Sequence, residues 1–181
     1  EVICLNYTSG TRGFCRGVML MANNFAGNVT FADRVNLLFE GERNLAFLPL
    51  AHAYGCTFDF LYPLSEGVHV TLLDIIPSFR NLVKALQKIK PHIIITVPLT
   101  FENIYNRNIL PLINKSGMKF LLKIPFVNKV ILLKMKRHLM HLFGGNIREV
   151  VIGGAELDRE VEAFFYKLKF PFTVGYGMTE C

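Results

Sequence analysis

The sequence predicts an α/β fold in which a largely parallel sheet is covered by helices on both faces. Three observations carry that expectation. Short apolar runs alternate with longer amphipathic stretches along the whole chain, and glycine-rich polar segments follow several of the apolar runs directly. The 181 residues are 51% apolar and only 19% charged, enough to build a sizeable core in one domain and far from the composition of a disordered chain.

Taken in order, "EVICLNY" reads as a strand that stops at Thr8, and "GVMLMA" as a second strand or the lead into a helix. Over residues 23–39, Phe25, Val29, Ala32, Val35 and Phe39 recur at spacings of three and four and predict an amphipathic helix, weakened in its first turn by Gly27. "NLAFLPL" reads as a buried strand ended by Pro49, followed by a helix over residues 51–64. The alternation continues with strand "GVHVTLL", helix "FRNLVKALQKI", strand "HIIITV" and helix "LTFENIYNRNILPLI", in which Pro111 marks a kink or an end. A helix over residues 128–143, strand "IREVVIG", helix "DREVEAFFYKL" capped by Asp158 and strand "FTVGY" complete the pattern.

The net charge of +6 is unevenly placed. Between Glu102 and Glu149 there is no acidic residue but nine Lys or Arg, while the rest of the chain carries 11 basic and 14 acidic side chains. The basic segment lacks the interleaved aromatic residues of a stacking platform, which argues against nucleic acid as a partner. Its Lys, Leu, Ile and Phe over residues 115–143 suit a peripheral contact with the inner face of a membrane, set against a helix whose apolar face is simply core. No uninterrupted apolar run reaches the roughly 18 residues a spanning helix needs. The four cysteines, Cys4, Cys15, Cys56 and Cys181, have neither CxxC nor framework spacing, favour reduced thiols and point to a cytoplasmic setting. Polar residues at 6–17 do not read as a signal peptide. Chain ends at Glu1, inside a strand, and at Cys181, directly after a motif, give the expectation of a piece of a longer protein.

"YTSGTRGFCRG" places three glycines, three hydroxyl side chains after the tyrosine and two arginines in eleven positions. Glycines let backbone N–H groups approach an anion, hydroxyls donate, and arginine grips phosphate through two parallel hydrogen bonds. The stretch is not a Walker A loop, since Phe14 follows Gly13 and Val18 follows Gly17 where lysine is required. A phosphate cradle and a plain glycine-rich turn both remain open on composition. "VVIGGAELDREV" and "TVGYGMTEC" repeat the arrangement after two later strands, so the Gly10, Gly154 and Gly177 loops are expected to line one crevice at the carboxyl edge of the sheet.

Together and in this order, "YTSGTRGFCRGVML", "LPLAHAYG", "VIGGAELDREVEAFF" and "GYGMTE" resemble the adenylate-forming acyl-CoA synthetases, most closely the long-chain fatty-acid CoA ligases. The resemblance covers nearly the whole chain and implies part of the large N-terminal AMP-binding domain, residues 1–181, without the C-terminal lid. It implies an enzyme that joins ATP and a fatty acid into an acyl-adenylate and passes the acyl group to coenzyme A, with Mg²⁺ as cofactor. It implies that Thr8, Ser9, Gly10, Thr11, Gly13 and Gly17 form the phosphate loop, with Arg16 in place of the family's usual lysine. Gly153, Gly154, Ala155 and Glu156 would line the adenine side, Tyr176 would pack on the adenine ring beside Gly177, Thr179 would reach the α-phosphate and Glu180 would help hold Mg²⁺. His52 and Tyr54 match positions near the carboxylate and acyl pocket.

The loop departs from the family pattern of Thr, Gly, any residue, Pro, Lys, Gly, having Arg12, Gly13, Phe14, Cys15, Arg16 and Gly17 instead. The family's ribose-binding Asp, hinge and lid lysine lie beyond Cys181, so the 181 residues alone are expected to be inactive. Two other readings stay open: a catalytically silent nucleotide-binding module, and an adenylating enzyme for aryl or amino acids. His52 also reads as a packed or capping residue after Pro49. His138 and His141, three apart on a helix without a local Asp, Glu or Cys, read as a solvated face and not a metal site.

Overall fold

The computed structural model describes residues 1–9, 15–73 and 78–180. Five strands form a parallel sheet in the order β4-β3-β5-β6-β7: β3 (Arg43–Ala46), β4 (His69–Leu72), β5 (Ile93–Thr96), β6 (Glu149–Ile152) and β7 (Phe172–Val174). The register runs Ile93 to Glu149 and Thr96 to Ile152 across β5 and β6, and Ile152 to Val174 across β6 and β7.

All four residues of β5 are buried, as expected of a strand covered on both faces. Their side chains alternate between two cores. Ile94 joins Leu45, Val150 and Ile152 under α4 (Phe79–Ile89), α5 (Pro98–Asn108), α8 (Pro125–Leu142) and α9 (Arg159–Leu168). Ile93 and Ile95 face the other side, against Ala32 of α1 (Ala22–Arg34), Leu38, Val68 and Tyr62 of α3 (Tyr62–Ser65). The expected layering of helices on both faces is therefore observed.

The ends of the helices follow local chemistry. The Ser78 hydroxyl accepts from the Asn81 amide at the start of α4, which closes at Lys90 in the left-handed region just before Pro91. Asp158 caps α9 as the sequence implied, its Oδ1 accepting from the amides of Glu160 (2.9 Å) and Val161 (3.0 Å). The stretch before Pro111 breaks as expected, into α5 and a short α6 (Leu110–Ile113). A further turn, α7 (Met118–Leu121), precedes α8.

Three expectations need correction. The first two strands, β1 (Val2–Ser9) and β2 (Cys15–Met21), pair with each other antiparallel in a separate two-stranded sheet and do not enter the parallel one. The helix expected over 23–39 stops at Arg34, because Asn36 takes a left-handed backbone; Val35 and Phe39, assigned to its inner face, are exposed. The helix expected over 51–64 begins as α2 (Ala53–Gly55), widens into a π-helical segment over Cys56–Leu61 and returns to α-helix in α3. The π-helical segment buries Asp59 completely, with its carboxylate turned back onto β3.

Candidate functional site

In the strand order, β3 leads outward to β4 while β5 begins the run to β6 and β7 on the other side. The reversal lies between β3 and β5, and ligands in such sheets bind outside the carboxyl ends of the strands near that point. Three motif segments leave this edge: "LPLAHAYG" after β3, "GGAELD" after β6 and "GYGMTE" after β7.

Tyr54 ties the first two segments together. Its hydroxyl lies 3.4 Å from the Thr96 carbonyl oxygen at the end of β5 and 3.3 Å from that of Val151 in β6, and its ring packs on Phe58 at 5.8 Å. Burial pushes its phenol above the ordinary range, and the nearby Asp59 charge adds to the shift. Tyr54 therefore sits under the sheet edge and shapes it. His52 stands at the N-cap of α2 with an exposed side chain that caps nothing; its backbone N–H donates to Pro49 O (3.0 Å) and its carbonyl accepts from the Cys56 amide (2.9 Å).

After β6, the Gly153 amide donates to Thr96 O (3.0 Å), fixing a buried Gly153, and Gly154 turns the chain with φ +88°. Ala155 and Glu156 are exposed, and Glu156 meets Arg159 at 3.9 Å in open solvent. The far end of this loop is held by Glu102 of α5, whose Oε1 accepts from the Asp158 amide at 3.0 Å. After β7, the Gly175 amide donates to Ile152 O (2.8 Å). Beyond it Tyr176 is 97% exposed, Gly177 and Glu180 are exposed and Thr179 is half-buried.

On the β1–β2 hairpin, Thr8 pairs with Arg16, Tyr7 with Gly17 and Ser9 with Cys15, so the stem brings a threonine opposite the arginine. Gly17 lets the Leu5 side chain lie across the hairpin, since a Cβ there would be 3.2 Å from Leu5 Cδ1. Gly10, Thr11, Arg12, Gly13 and Phe14 lie outside the described residues. Of the three loops expected to line one crevice, those of Gly154 and Gly177 follow β6 and β7 at this edge, Gly10 lies outside the described residues, and the strands flanking it form a separate two-stranded sheet.

Sequence reasoning missed a buried polar group beneath this edge. Asn44 Nδ2 donates to the Asp59 carbonyl oxygen (2.9 Å) and lies 3.4 Å from Asp59 Oδ1, while Asp59 Oδ2 accepts from the Leu48 amide (3.3 Å). Burial pushes the Asp59 carboxyl up to about 7, against the opposing pull of hydrogen bonds from Leu48, Asn44 and Phe47. The signal was a lone aspartate inside the apolar "CTFDFL". Thr96, whose buried Oγ1 has no hydrogen-bond partner, gave no signal in sequence.

Among the described residues no three His, Cys, Asp or Glu side chains cluster to hold a metal ion. A Mg²⁺ site at Glu180 fits only as one carboxylate that shares the ion with water and phosphate oxygens, a ligand set that magnesium commonly accepts. No helix among the described residues is long and apolar enough to cross a membrane.

Known proteins resemble this chain in sequence and in fold. The chain is 28% identical over 207 residues to long-chain-fatty-acid–CoA ligase 1 of Saccharomyces cerevisiae, covering 99% of this chain and 28% of that protein. It is 30% identical over 193 residues to long-chain-fatty-acid–CoA ligase 4 of the same yeast, covering 98% and 28%. It thus spans about 28% of the length of these curated relatives. Among solved structures, the adenylation domain of a carboxylate reductase from Mycobacterium chelonae superposes with a TM-score of 0.75 at 22% identity, over 98% of this chain and 27% of that one. An o-succinylbenzoate CoA synthetase from Bacillus subtilis in complex with its acyl-adenylate gives 0.69 at 20% identity, over 97% and 29%. The parallel sheet with motif loops at its carboxyl edge accords with the family model for the AMP-binding enzymes, which matches residues 1–181, and the chain belongs to that family.

Proposed function

We propose that this chain forms the nucleotide side of an ATP-dependent ligase that activates a long-chain fatty acid as an acyl-adenylate and transfers it to coenzyme A. The observation that carries the reading is the delivery of "LPLAHAYG", "GGAELD" and "GYGMTE" to one edge of one parallel sheet beside its switch point. The similarity to long-chain-fatty-acid–CoA ligases supports the substrate class. Because the chain spans about 28% of those relatives, the reaction belongs to the longer protein, and the 181 residues alone are expected to be inactive. The reduced cysteines fit a cytoplasmic setting.

In this reading Tyr176, free of packing, closes over the adenine ring, and the backbone of Gly153, Gly154, Ala155 and Glu156 lines the other side. Thr179 donates to the α-phosphate. Arg16, with Thr8, Ser9, Gly10, Thr11, Gly13 and Gly17, holds the β- and γ-phosphates as negative charge builds on the leaving pyrophosphate. Glu180 holds the Mg²⁺ that, when bound, neutralises phosphate charge. His52 faces the carboxylate of the acid. Tyr54 acts at the acyl pocket from beneath, by fixing the ends of β5 and β6.

Carboxylate-dependent exchange of labelled pyrophosphate into ATP tests the proposal on the full-length protein. Exchange with long-chain fatty acids is the expected result. Exchange only with aryl or amino acids would move the enzyme to another substrate class. Nucleotide binding without exchange for any carboxylate would mark a silent module.

A further inference from the structure

Helix α9 does not complete its own cap. The Asp158 side chain accepts from the Glu160 and Val161 amides, but the N–H of Asp158 itself also needs an acceptor. In a capping box that acceptor is a Glu or Gln at the third helical position. Here the third position is Val161, an apolar side chain 4% exposed in the core, so the helix has no acceptor to offer. Glu102 supplies it from another helix: its Oε1 accepts from the Asp158 amide at 3.0 Å, across 56 positions of sequence.

The same bond fixes a loop. The Asp158 amide lies in the peptide plane shared with Leu157, whose side chain is buried in the core. Apolar burial anchors Leu157 without dictating how its peptide faces, whereas a hydrogen bond is directional. At the entry to the loop the Gly153 amide donates to Thr96 O (3.0 Å), and at its turn a Cβ built on Gly154 would stand 3.7 Å from Val97 Cγ1. One stretch of chain, from the last residue of β5 into the second turn of α5, thus holds the loop at entry, turn and exit through Thr96, Val97 and Glu102. Ala155 and Glu156 lie between the turn and the exit.

We infer that Glu102 is a positioning residue for nucleotide binding: by accepting from the Asp158 amide, it holds the backbone of Ala155 and Glu156 in the orientation that receives the adenine ring. Glu102 touches neither ATP nor the acid in this role. The inference rests on the nucleotide reading of residues 153–156 proposed above.

Calorimetric titration of the full-length protein with ATP and Mg²⁺, run beside pyrophosphate exchange, tests it. Glu102→Ala should weaken ATP binding about fivefold to tenfold, the worth of one hydrogen bond. The KM for ATP in exchange should rise by the same factor while the KM for the carboxylate is unchanged. Glu102→Gln, whose amide oxygen accepts the same bond without the charge, should keep wild-type affinity. Glu102→Asp, one methylene shorter, should behave as the alanine variant. Amide exchange at Asp158 should accelerate in Glu102→Ala and not in Glu102→Gln. Unchanged ATP affinity in Glu102→Ala, whether or not its unfolding midpoint falls, would overturn the inference by making the bond structural only. So would a glutamine variant as weak as the alanine one, which would assign the effect to charge, or equal losses for ATP and carboxylate, which would assign it to general loosening. Wild-type protein that binds ATP but exchanges with no carboxylate would defeat the ligase reading alone, since the titration still reads Glu102. Wild-type protein that binds no nucleotide would defeat both.

Discussion

The Tyr54 side chain occupies the space that a side chain at Gly153 would need. A Cβ built on Gly153 would stand 3.0 Å from both Cζ and Oη of Tyr54. The two residues belong to different motif segments, one after β3 and one after β6, so their fit sets how closely those segments approach. Gly153→Ala should displace the ring and cost about 1–3 kcal/mol in urea unfolding. Tyr54→Phe should cost about 1 kcal/mol through the lost hydroxyl. Combined, the two changes should cost less than their sum, since removing the hydroxyl relieves part of the clash.

Gly55 closes "LPLAHAYG" against its own beginning. A Cβ there would be 2.8 Å from the Pro49 carbonyl oxygen and 3.1 Å from Leu48 Cβ, positions with little freedom to yield. Gly55→Ala should destabilise by roughly 2 kcal/mol or more. In contrast, Gly27→Ala meets no atom within 4 Å on an exposed turn of α1 and should stabilise by about 0.5–1 kcal/mol. Thermal unfolding of the two variants side by side checks both signs.

Asp59 gives the fold a pH dependence. Its folded pKa, about 7, stands above the ordinary 3.8, so its contribution to stability is complete below pH 3.8 and is lost as pH rises through 7. Above that range the ionised, buried carboxylate opposes folding by a few kcal/mol. Asp59→Asn should therefore flatten the stability profile between pH 4 and 8 and raise the unfolding midpoint above that of the unsubstituted protein at pH 8.

The loop after β6 is anchored where α9 begins. Asp158→Ala removes an acceptor shared by the Glu160 and Val161 amides and should cost about 1 kcal/mol. Asp158→Asn should retain most of that stability, because an amide oxygen caps nearly as well. Amide exchange at Glu160 and Val161 should accelerate in the alanine variant alone.

The parallel sheet was legible because its strands are buried runs such as Ile93–Thr96, and because Pro91, Pro111 and Asp158 punctuate the helices between them. The hairpin was misplaced for a physical reason. "EVICLNY" is as apolar as a core strand, yet Val2, Ile3 and Leu5 are exposed, and composition does not reveal which partner a strand takes. The nearness of "EVICLNY" and "GVMLMA" in sequence, too short for the crossover that parallel strands require, was the signal for antiparallel pairing. The motif loops could be placed at strand ends from sequence. The contacts that hold them, Tyr54 on β5 and β6 and Asn44 on Asp59, join residues 15 to 97 positions apart and leave no periodic trace.

Strands β5 and β6 share four registered pairs, but β3 and β5 meet through one, Asn44 with Ile93. The narrow join is reinforced by the amides of His92, which donates to Arg43 O at 2.9 Å, and of Arg43, which donates to His92 Nδ1 at 3.0 Å, both on the side of the sheet away from the motif loops. At the base of the sheet an imidazole thus stands where a ladder carbonyl would, and His92 is part of the seam itself.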